Sequence, residues 1–387
     1  MYSFAGFIVE TTKQTKKKNG LTIMSLPEFL KESYLAELEE AYAPFLGATV
    51  RTLKHDELQA YLGRVVKKEK GPKDKYELPY IHAGNVQVKG EAGEDYDTEK
   101  LKHSIMTRPK VIMKQNEKMQ HSDGTSSIYF NVGLPALKGL AVDEKAGEFV
   151  VVDTCPGAGA CKVFCYAMKG GYVQWKASSL GASRVLNFLL NDPDGFKHAL
   201  EKELADAHRK AAKKGTKIVV RWHDAGDFFS PQYLDLAYDV ARAFPDIEFY
   251  AYTKIASVAH SQKPANFLIN FSQGAQPSQE RLIDITRTKH SKVIPKEMFT
   301  DLVARDGKKL LKDVHGRMQF KDTHALDEFK RRVAHKYSIA TDTIITYDEM
   351  MKKPVGTAPH WNVLVWPGHG DEAANRRDVL GTYLLIH

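Results

Sequence analysis

Residues 217–254, KIVVRWHDAGDFFSPQYLDLAYDVARAFPDIEFYAYTK, hold the pattern that decides the fold. The opening KIVVRW reads as a strand, and HDAGD after it is a polar turn built on Gly226. Pro231, directly after Ser230, suits the first turn of a helix over PQYLDLAYDVARAFP, because its fixed φ fits there and the serine can cap the free amides. IEFYAYTK is then a second strand. Strand, helix and strand at this rhythm make a βα unit of a mostly parallel sheet, so the fold class is α/β.

The neighbours extend the rhythm. Ser178 to Leu190 reads as a helix, and NDPDGFKHALEKELADAHRKAAKKG as a clearer one, capped at Asp192-Pro193 and closed at Gly215. FVVVDT at 149–154 is a short buried strand and ANFLINFS another. Beyond them, residues 287–322 read as a basic helix and loop over one face, followed by a helix in HALDEFKRRVAHKYS and apolar runs in DTIITYDE and WNVLVWP. Residues 1–110 form an α+β accessory region, with a capping box at Ser25 and Glu28 and a second helix in KHDELQAYLGRVV. Residues 111–387 form the catalytic region. In such a sheet the active groups gather where strands end. HDAGD, YTK, NFSQG and the loop after FVVVDT all sit at such ends.

That loop, CPGAGACKVFCYAMKGGY, carries all three cysteines, Cys155, Cys161 and Cys165, within eleven residues. No fourth cysteine exists, so a disulfide framework is disfavoured and metal or cluster binding is the sharper reading, against buried or incidental thiols. Structural zinc usually draws on close CxxC pairs, whereas here the spacing is C-x5-C-x3-C. A [4Fe-4S] cluster on three thiolates keeps one iron open for a small molecule. A Cys3His zinc site is the alternative.

The composition bounds the partners. The chain has 387 residues and a net charge of +8, which favours a nucleotide or nucleic acid, although a solubilising surface explains the charge as well. The strongest basic run contains Lys289, Lys292, Lys296, Arg305, Lys308, Lys309, Lys312, Arg317 and Lys321, with Phe299 and Phe320 as its aromatics for base stacking. No apolar run is long enough to span a membrane and no secretory leader opens the chain, so the expected location is cytoplasmic. No GxxxxGK[ST] phosphate loop, HExxH zinc helix or GxSxG elbow is present.

Two further constellations stand out. In VRWHDAGDFF, Arg221, His223, Asp224 and Asp227 surround the Gly226 turn, and either bind a small polar ligand or serve as turn and cap residues. With His369 and a divalent metal they would suit a hydrolase or nuclease. Lys254 ends a strand beside Tyr252 and suits anion or substrate contact, or else snorkels at the surface. His369, Asp371 and Arg376, with His387, offer a second polar cluster.

CPGAGACKVFCYA, the helix with Ser179, Ser183, Arg184 and Asn187, the 220–254 stretch and the terminal GHGD together resemble a gene-product-88 family of phage and prophage proteins, over about residues 115–387. More distantly the region resembles radical S-adenosylmethionine enzymes. That resemblance implies a partial or full (β/α) barrel and a [4Fe-4S] cluster on Cys155, Cys161 and Cys165, with Tyr166 as the aromatic after the last ligand. S-adenosylmethionine would chelate the open iron, and Ala225, Gly226 and Asp227, with Asp224 beside them, would meet its methionine end. Lys254, His223 and Asp227 would then do the catalytic work, with an electron donor as partner. The usual spacing in those enzymes is C-x3-C-x2-C, which this chain does not have.

Overall fold

The computed structural model describes residues 43–67, 79, 96–115, 127–165, 167, 172, 176–307, 309–313, 319–366 and 370–385. Its strands are β1 (Val50–Thr52), β2 (Met113–Lys114), β3 (Ser127–Val132), β4 (Lys138–Asp143), β5 (Glu148–Asp153), β6 (Lys217–Trp222), β7 (Glu248–Thr253), β8 (Phe267–Ser272), β9 (His290–Ile294), β10 (Arg305–Asp306), β11 (Lys309–Leu310), β12 (Ile344–Thr346), β13 (Trp361–Val365) and β14 (Val379–Leu385). The helices that position the site are α1 (His55–Lys67), α2 (Thr98–Met106), α3 (Cys161–Phe164), α4 (Lys176–Asn191), α5 (Pro193–Ala212), α6 (Pro231–Ala243), α7 (Ala256–Ala259), α8 (Pro277–Glu280), α9 (Thr323–Tyr337), α10 (Tyr347–Met351) and α11 (Gly370–Asn375).

Nine strands form one sheet in the order β12-β13-β14-β9-β8-β7-β6-β3-β2. Every neighbouring pair is parallel except β2 with β3. The mostly parallel α/β sheet expected from the sequence is therefore present. It is open among the described residues, with β12 and β2 at its edges, and does not close into a full barrel.

The order also reverses. From β3 through β9 each new strand adds on the same side, but β12, β13 and β14 then step back toward β9. Because parallel crossovers are right-handed, a reversed step puts its helix on the opposite face. The packing agrees. Phe329 and Val333 of α9 join Leu364, Tyr383 and Ile294 on one face, while Tyr347 and Met350 of α10 and Ala373 of α11 join Val363 and Val365 on the other. The main core lies on the first face, where α4, α5 and α6 cover Ile218, Val220, Trp222, Phe249, Phe267 and Ile269.

FVVVDT is a strand, but not one of this sheet. As β5 it lies between β1 and β4 in a separate antiparallel sheet. Val150 and Val152 face the main core, while Phe149 and Val151 face a second core with Leu58, Leu62, Leu101 and Ile105 from α1 and α2. A continuous apolar run reports burial on both faces, and says nothing about strand direction. Described residues on both sides of residue 110 thus share one sheet and one core. KHSKVI, expected as part of a basic helix, is instead β9 inside the large sheet. The first predicted helix, around residues 25–42, lies outside the described residues.

Candidate functional site at the strand ends

The cysteine loop lies across the carboxyl ends of β7 and β8. The Gly159 and Cys161 amides both donate to the Gly274 carbonyl, at 3.0 and 3.1 Å, and Gln276 N–H donates to Gly157 O at 2.9 Å. The Gln276 side chain adds a bond to Pro156 O at 2.8 Å. Such close backbone approach needs glycine: a Cβ on Gly157 would stand 2.4 Å from Lys254 O, and one on Gly159 2.2 Å from Ala275 O. Gly274, at φ +86°, turns β8 back under the loop.

Of the three thiols Cys155 is best defined. Its Sγ accepts the Leu137 amide at 3.2 Å. Burial first, and then the Asp227 carboxylate, hold this thiol well above the usual range, and Cys165 and Cys161 add to the effect. The three sulfurs thus lie in one electrostatic neighbourhood. Among the described residues, however, no three His, Cys, Asp or Glu side chains are gathered so as to hold a metal ion. Tyr166 lies outside the described residues.

The Gly226 turn is drawn in toward the protein. Leu134 N–H donates to Ala225 O at 3.0 Å, and Asp227 N–H to Thr154 O at 2.8 Å. The Asp227 carboxylate accepts from Phe228 N, Thr253 Oγ1 and Lys254 N, each at 2.8 Å. Burial pushes its pKa up to about 6 in spite of these bonds. It acts as a latch that joins the turn after β6 to the end of β7. The Ala225 carbonyl and the Asp227 amide and carboxylate, expected at the methionine end of a cofactor, are all engaged within the protein.

His223 is buried at φ +70°, its Nε2 sharing a 2.7 Å hydrogen bond with the Tyr233 hydroxyl. Its Nδ1 is buried with no partner among the described residues. Desolvation, reinforced by Arg221, brings its pKa down to about 3, so the ring is neutral. Asp224 is half-buried and accepts from Tyr172 Oη at 3.0 Å. A Cβ on Gly133 would lie 2.1 Å from Asp224 Oδ1, so the glycine makes room for that carboxylate. Arg221 donates to His223 O and lies over the Tyr252 ring, 4.9 Å from its centroid.

Lys254 caps the neighbouring strand. Its ammonium donates to Ser272 Oγ at 2.9 Å and Gln273 O at 2.8 Å. All these acceptors are neutral, so its positive charge stays beside the cysteine loop. Register continues that row from Ser272 to Ser291 and Thr382, and the hydroxyls of these last two are buried with no partner among the described residues.

Of the second polar cluster only the Arg376 side chain is described, and His387, like His369, lies outside the described residues. Arg376 precedes β14, at the amino-terminal end of the parallel strands, and is spent on Asp378, Met350 O and Pro354 O. Asp371 belongs to α11. In the α4 motif, Asn187 accepts Val142 N and donates to Glu144, and Arg184 donates to Ser104 O. Those residues clamp the β4–β5 hairpin and α2 rather than face the loop. Thr253 and Ser272 stand within the YTK and NFSQG strand ends that the sequence marks, whereas Tyr172, the Asp224 partner, was not singled out.

No described helix is long and apolar enough to cross a membrane. No solved structure matches the chain. The Gene 88 protein of Mycobacterium phage D29 is 32% identical over 193 residues, which cover 48% of this chain and 71% of that protein. The Gene 88 protein of Mycobacterium phage L5 is 31% identical over 172 residues, covering 43% of this chain and 63% of that relative, just under two thirds. Nothing in these matches supports the more distant resemblance to radical S-adenosylmethionine enzymes. A sequence profile described as Gene product 88 matches residues 110–343, more than half of the chain and the span that holds the cysteine loop and β3 to β9, and on that match the protein belongs to the Gene product 88 family.

Proposed function

We propose that the protein is an iron–sulfur enzyme that modifies a nucleotide or nucleic acid, with a [4Fe-4S] cluster on Cys155, Cys161 and Cys165 and S-adenosylmethionine as co-substrate. One observation carries this reading: a loop with three thiols is pressed, glycine against backbone, onto the carboxyl ends of two parallel strands beside Lys254. The donor set suits a soft thiolate-bound group with one position left open. When bound, such a group supplies one-electron chemistry to a substrate held nearby.

The chain's own residues supply the setting. The Leu137 amide favours a thiolate on Cys155, which burial otherwise keeps protonated. Lys254 places a fixed cation beside the loop and so favours an anionic ligand there. Asp227 holds Lys254 in place through its main chain. An electron donor is the partner this chemistry requires.

Reconstituted protein, given S-adenosylmethionine and a reductant, should release 5′-deoxyadenosine, and Cys155→Ala, Cys161→Ala and Cys165→Ala should each abolish that release. Full turnover in all three variants would overturn the reading. Stoichiometric zinc with salt-dependent DNA binding and no turnover would assign the loop to a zinc-stabilised nucleic-acid-binding protein instead.

A further inference from the structure

Behind the turn that holds the cysteine loop, a cavity of about 100 Å³ opens between the end of β8, β9 and residues 280–285. Phe271, Ile283 and Ile285 give it an apolar wall, and Glu280 and Lys292 give it two opposite charges.

The two charges in the cavity are not satisfied by each other. Glu280 accepts the Gly274 amide on Oε1 at 2.8 Å, and its Oε2 receives no hydrogen bond from the described residues. The Lys292 ammonium lies over the Tyr337 ring at 5.5 Å, and makes no hydrogen bond or ion pair with the described residues. Glu280 is near enough for its charge to act on Lys292, yet the two do not pair. A carboxylate and an ammonium that face one cavity unpaired are complementary to a ligand carrying both opposite charges.

We propose that this cavity binds an α-amino acid with an apolar side chain. The ligand's carboxylate meets Lys292, its ammonium meets Glu280 Oε2, and its side chain packs on Phe271, Ile283 and Ile285. Occupancy would also reach the cysteine loop, because Glu280 holds the Gly274 amide and Gly274 O holds Cys161. The inference stands independently of any metal on that loop.

The test is calorimetric titration of the full-length, metal-free protein with L-leucine and L-methionine, alongside isopentylamine and isovalerate, each of which carries one of the two charges. The amino acids should bind, and each half-ligand should bind at least about tenfold more weakly, the equivalent of about 1.4 kcal/mol. Lys292→Met and Glu280→Gln should each weaken amino-acid binding about tenfold or more with the melting temperature unchanged; the glutamine keeps an acceptor for Gly274. No binding of either amino acid, equal binding of the half-ligands, or undiminished binding by both variants would overturn the proposal. None of these outcomes bears on the cluster, since the protein is titrated without metal.

Discussion

The Cys161 amide donates to the Gly274 carbonyl at 3.1 Å, and through that bond the loop after an antiparallel strand reaches the rim of a parallel sheet. Gly274 permits this by standing at φ +86°, and a Cβ there would lie 3.1 Å from Cys161 Cβ. Gly274→Ala should therefore cost about 1–2 kcal/mol through the left-handed backbone and push the loop off the strand ends. Urea denaturation gives the first quantity, and faster reaction of Cys155 with a thiol reagent in the folded variant gives the second. An unchanged reaction rate would mean that the loop is held by something else.

Asp227 separates a structural role from a cofactor contact. Asp227→Ala leaves Thr253 Oγ1 and the Phe228 and Lys254 amides without their acceptor. Each buried donor left unpaired costs about 1–3 kcal/mol, so the loss of stability should be about 3 kcal/mol or more. A variant as stable as the parent, but unable to bind S-adenosylmethionine, would show that the carboxylate faces the ligand.

Acid should weaken the fold through buried histidines. His290 is held near pKa 4 by burial, its Nδ1 beside Thr288 O and its Nε2 on the Tyr383 hydroxyl. Its value in the unfolded chain is about 6.5, so between pH 4 and 6.5 the unfolded state binds more protons. Stability from this group is complete above about pH 6.5 and is lost as pH falls toward 4, by about 3 kcal/mol. Denaturation curves across that range should show a shallower acid slope for His290→Gln than for the parent protein.

How much of this was readable beforehand depended on what each residue packs against. The βα unit at 217–254 was legible because Ser230 caps α6 and both strands bury the apolar positions expected of them. β9 was not legible, because His290, Ser291 and Lys292 interrupt its apolar pattern; His290 is buried by pairing with Tyr383, and Lys292 is half-buried over Tyr337. Asp227 and Gly226 were read correctly as one turn, but no spacing rule reveals that the carboxylate points back at Thr253 and Lys254. The three thiols were visible as one loop. That the loop would cross from the β5 sheet to the β8 turn depends on contacts more than a hundred residues apart, such as Gln276 with Pro156.

The basic run after β8 changes character in the same way. Lys289 is spent on Arg376 O and Val379 O, and Phe299 is 1% exposed, so it offers no face to a base. Phe320 packs on Phe329 and Trp366. Lys309 and Lys312 stay exposed near the β10–β11 hairpin. Lys309→Glu with Lys312→Glu should weaken binding of single- and double-stranded DNA at low salt, and reduce its salt dependence, without altering iron content. Unchanged affinity for both would remove polynucleotides as the substrate.

Metal content decides the central claim. Protein purified anaerobically and reconstituted with iron and sulfide should hold about 4 iron and about 4 labile sulfide per chain. Both should fall together in Cys155→Ala, Cys161→Ala and Cys165→Ala. Stoichiometric zinc without labile sulfide, or iron content indifferent to all three substitutions, would contradict an iron–sulfur centre on this loop.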